Sequence, residues 1–269
     1  ELDTTGSNFA LTVTGDVSVV GTLTCNASVV AMRSLSVAGG TFTAPTGGSS
    51  SCTLTGSKYG NASEDAFSTD SGSTFTAGSG TNLSGENFYH VTINSTGGTP
   101  IVETQRNIII DGTLYVQAGT FRSYASVART ITVTGKTLIG PNSGDANVGI
   151  LDCGSSVCKF GIAYTSNYAL SVRRGGTFNG GSAVTQSGAI TMVTDDNAKA
   201  TFDFTSTTHT ITAEYTSGNR FFEMTAGAVT HSDGEIILDS AVNSEIQWSA
   251  NGDGGPYDLT LNDAGMTVR

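Results

Sequence analysis

Charge is scarce in this sequence. Asp, Glu, Lys and Arg supply only 13% of its 269 residues, which excludes a disordered polyelectrolyte. Basic residues are the scarcer kind, 12 against 23 acidic, so the formal charge is −11 and the isoelectric point about 4.5. No basic cluster exceeds Arg173-Arg174. An acidic chain repels phosphate backbones, so nucleic acid is not an expected partner. No apolar run approaches the roughly 20 residues of a membrane-spanning helix. No window of about 12 residues carries a helical period. The single tryptophan, Trp248, follows all four cysteines, so the Cys–Trp–Cys order of immunoglobulin domains is missing. The chain opens at Glu1 without a starting Met or a visible secretory leader. A removed leader, or a segment of a longer precursor, is the expected explanation.

What fills the space is glycine, 35 residues of it, with Ser, Thr and Asn. That composition suits many short strands joined by turns. The clearest stretch is 88–135. Within it Leu114, Val116 and Ala118 alternate with Tyr115 and Gln117, the period of a strand with one buried face. Gly112 and Gly119 stand where the chain must bend. Ile131 and Val133 face one way, Thr130, Thr132 and Thr134 the other.

The same unit recurs. Phe9-Ala-Leu-Thr-Val-Thr14, Tyr89-His-Val-Thr-Ile-Asn94 and Tyr257-Asp-Leu-Thr-Leu-Asn262 share one pattern. Leu11-Thr-Val-Thr-Gly15 and Ile131-Thr-Val-Thr-Gly135 are nearly identical, and Gly40-Thr-Phe42, Gly119-Thr-Phe121 and Gly176-Thr-Phe178 form a third echo. The spacing is irregular, as expected of one strand–turn unit with variable loops inserted. Residues 56–87 are the least periodic and predict an elaborated loop with a short helical turn near Ser63–Phe67. No linker divides the chain, so 1–269 reads as one continuous all-β unit. A β-solenoid accounts for this better than tandem β-sandwiches: strands are short, single glycines separate them, and outward Thr and Asn recur at equivalent places. The units Gly112-Thr-Leu-Tyr-Val116, Gly119-Thr-Phe121 and Ile131-Thr-Val-Thr-Gly135 resemble the degenerate repeats of right-handed parallel β-helices. Secreted microbial adhesins and surface proteins, and viral tail spikes and fibres, carry such repeats. The resemblance covers most of residues 9–140 and implies the fold and an extracellular setting, not a ligand.

Candidate chemistry is sparse. Polysaccharide lyases and hydrolases of β-helix type need converging carboxylates, or bound calcium beside a basic residue. Asp195-Asp196 is the one adjacent Asp pair, with Lys199 nearby. Adjacent strand residues point to opposite sides, so the pair reads as a turn. His90 and His209 read as ordinary strand residues, and no Gly-x-Ser-x-Gly elbow accompanies them or His231. Cys153-x₄-Cys158 has no nearby His for a metal. Asn251-Gly-Asp-Gly-Gly255 lacks the ligand pattern of a calcium loop and reads as a tight turn. No catalytic residue, metal ligand or cofactor is therefore assigned. Tyr59, Tyr115, Tyr124, Tyr164 and Tyr168 are candidate sugar-stacking aromatics.

Four cysteines suit an oxidising compartment. Cys25 and Cys52 share faces with Leu23 and Leu54, and stacked coils lie about 4.8 Å apart, so a Cys25–Cys52 bond is expected. Gly154-Ser-Ser-Val157 is turn-prone and predicts Cys153–Cys158. Of four Asn-x-Ser/Thr sequons, Asn61 and Asn82 lie in the loop-rich stretch and are the expected glycosylation sites. The expected role is a non-enzymatic structural or adhesive element of a cell surface, filament or virion. Head-to-tail copies of itself, and a surface glycan or receptor, are the expected partners. A carbohydrate-binding tail-spike module and a polysaccharide-degrading enzyme are the alternatives.

Overall fold

The computed structural model describes residues 2–3, 8–37, 40–45, 50–55, 66–68, 74–78, 82–83, 87–95, 101–123, 127–141, 148–183, 185–193, 200–203, 208–213, 220–225, 227–230, 234–239, 245–248, 252–253, 258–262 and 267–268. Strand pairings among them are parallel from the first, Leu2 against Leu23, to the last, Ile246 against Val268. Parallel neighbours need long crossovers, and here each crossover is a full coil. Bonded partners on adjacent coils are 19, 23, 27 or 33 residues apart. The fold is a parallel β-solenoid of about seven turns, with no helix among the described residues. Tandem sandwiches are excluded, because their sheets are antiparallel.

Each full coil has three faces. One coil reads His90–Asn94, Ile101–Thr104 and Ile108–Ile110. Another reads Leu170–Arg173, Thr177–Asn179 and Thr185–Ser187. In the strand Leu114–Ser123 two faces are continuous. Leu114 to Val116 pair with Thr137 to Ile139, while Gly119 to Arg122 pair with Gly149 to Asp152. Gly119 makes that corner at φ +84°, a conformation open to glycine and strained for other residues. The bend expected at Gly119 is thus a fold inside one strand rather than a break between two.

Period-two alternation decides what lies inside. Leu114, Val116 and Ala118 are buried, with Tyr115 and Gln117 half-buried between them. Stacking then aligns the inward residues into rows. One first-face row runs Val91, Leu114, Thr137, Leu170, Ile190, Phe222 and Ile246. A second-face row runs Val102, Phe121, Leu151, Phe178, Phe202 and Val229. Phe178 and Phe202 lie with ring centroids 4.5 Å apart, tilted by 39°. Nearly all these side chains are wholly buried. A buried aliphatic or aromatic side chain contributes roughly 1.5–3 kcal/mol.

The elaborated-loop reading of 56–87 is corrected where residues are described. Ala66–Ser68, Thr74–Ala77 and Asn82–Leu83 are strands in register with neighbouring coils. Phe67 lies in strand, and Ser63 falls outside the described residues. The strands escape a reading by pattern because they are too short to show alternation.

One row contains a flaw. Thr137 stands between Leu114 and Leu170, fully buried, and its Oγ1 has no hydrogen-bond partner. An unpaired buried hydroxyl costs about 1–3 kcal/mol. Thr137→Val keeps the shape and removes the hydroxyl. It is expected to raise stability by about 1 kcal/mol, read as a higher urea midpoint at unchanged m-value.

Candidate functional site: polar groups inside and outside the coils

None of the four buried cysteines is disulfide-bonded, so the expected bonds Cys25–Cys52 and Cys153–Cys158 are not present as such. For the first pair the register gives a reason. Cys52 stacks on Val30, with Phe75 on the next coil. Cys25 lies past the end of the strand Thr22–Thr24, its N–H donating to Thr43 O at 3.1 Å. It is not the residue one coil below Cys52. Burial pushes the Cys25 thiol up to about 11, and burial with the nearby Cys25 raises Cys52 further. Cys153 and Cys158 do meet across their turn, their thiols hydrogen-bonded, and burial followed by that contact raises Cys153 well above the usual thiol range.

Of the other residues singled out above, Asn61, Tyr59, Tyr124, Asp195, Asp196, Lys199, His231 and Asn251 lie outside the described residues. Asn82 is in a strand, paired with Glu103. His90 is half-buried, and its Nδ1 accepts the Thr113 N–H at 2.8 Å. Burial, then Lys136, pushes its pKa down.

His209 is not an ordinary strand residue. It shares the inward side of Thr208–Ile211 with Ile211 and is fully buried. Its Nδ1 is 2.6 Å from Thr185 Oγ1 and its Nε2 2.9 Å from Ser187 Oγ, both on the preceding coil. A neutral imidazole donates from one nitrogen and accepts at the other, so two hydroxyls satisfy it. Phe178 and Phe202 present their rings edge-on at 5.9 and 5.6 Å. Burial lowers its pKa to about 3. The parity of His209 with Ile211 was the one signal in the sequence that it faces inward.

Outside the coils, residues 161–169 leave the third face and run along the solenoid. Ile162 O accepts from Thr212 Oγ1 at 2.9 Å, 50 residues on. Tyr168 OH donates to Glu223 Oε2, whose Oε1 takes Arg220 Nη1 at 2.7 Å. The crossing depends on Gly188, where a Cβ would stand 2.9 Å from Ala169 Cβ and 3.2 Å from Tyr164 O. Burial and the Glu223 contact lift Tyr168 to about 12. Nothing local in the sequence announces this clasp. Tyr168 is therefore a bonding residue of the strap, not a bare sugar platform.

An outward row on the second face runs Glu103, Arg122, Asp152, Asn179 and Asp203. Arg122 Nε and Nη2 both reach Glu103 Oε1, at 2.8 and 2.6 Å. Asp152 Oδ1 accepts the Gly154 N–H at 3.0 Å. Among the described residues no group of three or more His, Cys, Asp or Glu side chains is placed to hold a metal ion. No protein-family model, curated protein or solved structure matches the chain.

His209 makes acid stability a test of the site. Unfolded, the imidazole takes up a proton near 6.5; folded, only near about 3. Between those values the unfolded chain holds the extra proton, so stability falls as pH falls, by up to about 1.4 kcal/mol per pH unit. From pH 6.5 to 5 the wild type is expected to lose about 2 kcal/mol more than His209→Gln in denaturant titrations. Equal losses would show that His209 is already charged in the native state.

Proposed function

We propose that the chain is an extracellular, non-enzymatic structural or adhesive element, acting through its shape and the polar rows it displays. The observation that carries this reading is the continuity of the stack. Inward rows are filled coil after coil by side chains, while outward rows carry Thr, Ser, Asn and a few ion pairs. An extended rod of this kind offers long, regular surfaces for lateral or end-on contact.

Other copies of the chain are the favoured partners, head to tail. Leu11, Val13 and Val17, on the first long strand, are only partly buried, although they continue inward rows. At the far end of the third face Leu259 is 40% exposed, where Ile236, one coil inside the same row, is 3%. A further parallel coil would cover either surface, and adjoining chain of a longer protein would cover the same groups. A head-to-tail contact propagates into a fibre unless it closes into a ring. The 269-residue chain is expected to associate with rising concentration, with Val13→Lys weakening association at least tenfold in sedimentation velocity. A wild type that stays monomeric at high concentration counts against self-association.

A glycan-binding role is the second reading. The row Glu103, Arg122, Asp152, Asn179 and Asp203 supports it, because it lines up donors and acceptors at the coil repeat, as a polyhydroxylated ligand requires. Cleavage of such a ligand is not expected. Incubation with defined polysaccharides should release no new reducing ends or unsaturated products. Turnover abolished by Asp195→Asn or Asp196→Asn would establish the enzyme alternative instead.

A further inference from the structure

We propose that Cys153 and Cys158 are a disulfide-forming pair, closed when the chain folds in the presence of a disulfide oxidant. The turn between them is built to hold the two sulfurs together. Cys153 directly follows the second-face strand Gly149–Asp152, its N–H donating to Asn179 O at 3.0 Å on the next coil. The chain then reverses: Ser156 N–H donates to Cys153 O at 2.8 Å, and Gly154 sits at φ +54°. Ser156 Oγ, itself buried, accepts the Arg129 N–H at 2.9 Å from the preceding coil. Cys158 follows inside the strand Val157–Phe160, in the inward row Ile131, Cys158, Thr185. Both thiols are fully buried and hydrogen-bonded to each other. In the closed coil, bonds from three coils therefore hold the turn in the arrangement that keeps the two cysteines together.

The chemistry is thiol–disulfide exchange. One cysteine thiolate attacks a sulfur of the oxidant, here glutathione disulfide, and releases one glutathione thiolate. The second cysteine thiolate attacks the mixed disulfide, forms the Cys153–Cys158 bond and releases the second glutathione. The two cysteines lose two protons and two electrons; the oxidant disulfide gains both electrons and becomes two thiols. Buried thiols exchange poorly because the thiolate is the nucleophile. The bond therefore forms while the coil is still open, and once enclosed it is shielded from reductant. This holds wherever an oxidant meets the folding chain, and it stands apart from the adhesive reading.

Refolding the reduced chain with mixed reduced and oxidised glutathione tests it. Remaining thiols are alkylated in denaturant without reductant, and the protein is cut after lysine and arginine. Cleavage after Lys136 and Lys159 leaves both cysteines on one peptide, 137–159. The expected peptide carries no label and is lighter than the dithiol form by two hydrogens. Treating the refolded native protein with dithiothreitol should leave it so, and treatment in denaturant should convert it to the doubly labelled form. A peptide labelled on both cysteines, carrying glutathione, or linked to another peptide overturns the proposal. So does reduction in the native state as fast as in denaturant.

Discussion

The structure depends on one repeat distance, the roughly 4.8 Å between parallel strands of successive coils. At that spacing an inward side chain touches its counterparts above and below before it touches anything else in its own coil. A row is therefore the unit of packing, and its members have to agree in polarity more than in size. Val91, Leu114, Ile190 and Phe222 differ in volume yet occupy one row, because the sheet fixes only one coordinate. Coil length is much freer. Residues inserted at a corner leave the solenoid without disturbing the rows, so offsets from 19 to 33 residues coexist.

Two polar residues test the rule from inside. Thr137 has no partner for its hydroxyl and simply weakens its row. His209 is tolerated because Thr185 and Ser187, both inward and one coil earlier, supply its two hydrogen bonds. The polar group was accepted as a set of three across two coils rather than alone. Such a set holds register, since a slip by one residue would send Thr185 and Ser187 outward and leave the imidazole unpaired.

This explains what the sequence could reveal. Period-two alternation marked the faces of 114–118 and 131–133 correctly, because it is a local property of one strand. The choice of a stacked parallel fold followed from recurrence of that local unit. Register is different: it is a relation between strands many residues apart, with no fixed period to count by. Hence a shared inward face does not stack Cys25 on Cys52: the register sets Val30 there. The Cys153 turn was legible because both partners lie within one short stretch. The clasp between Tyr168 and Glu223 was not, because it joins two coils across 55 residues. Strands of two to four residues, as in 66–83, leave too little pattern to separate from loop.

Stacking also accounts for the low charge noted at the outset. An outward row places like side chains at the coil repeat, where two equal charges repel by about 1 kcal/mol in water and several times more near a protein surface. A charged residue copied from coil to coil would accumulate that cost along the whole rod. Neutral Thr and Ser avoid it while keeping β propensity, in the case of Thr, and hydrogen bonding. At two places opposite charges on adjacent coils pair. Asp16 faces Arg33 through two contacts, of 3.0 and 2.6 Å, and is held at about 2 by that guanidinium and Ser34. Glu103 faces Arg122. In the continuation of that row Asn179 separates Asp152 from Asp203, doubling the distance between the carboxylates to roughly 10 Å, about a Debye length at physiological salt. The repeat thus favours few charges, and in this row Arg122 stands in register between Glu103 and Asp152, which would otherwise face each other across fewer coils.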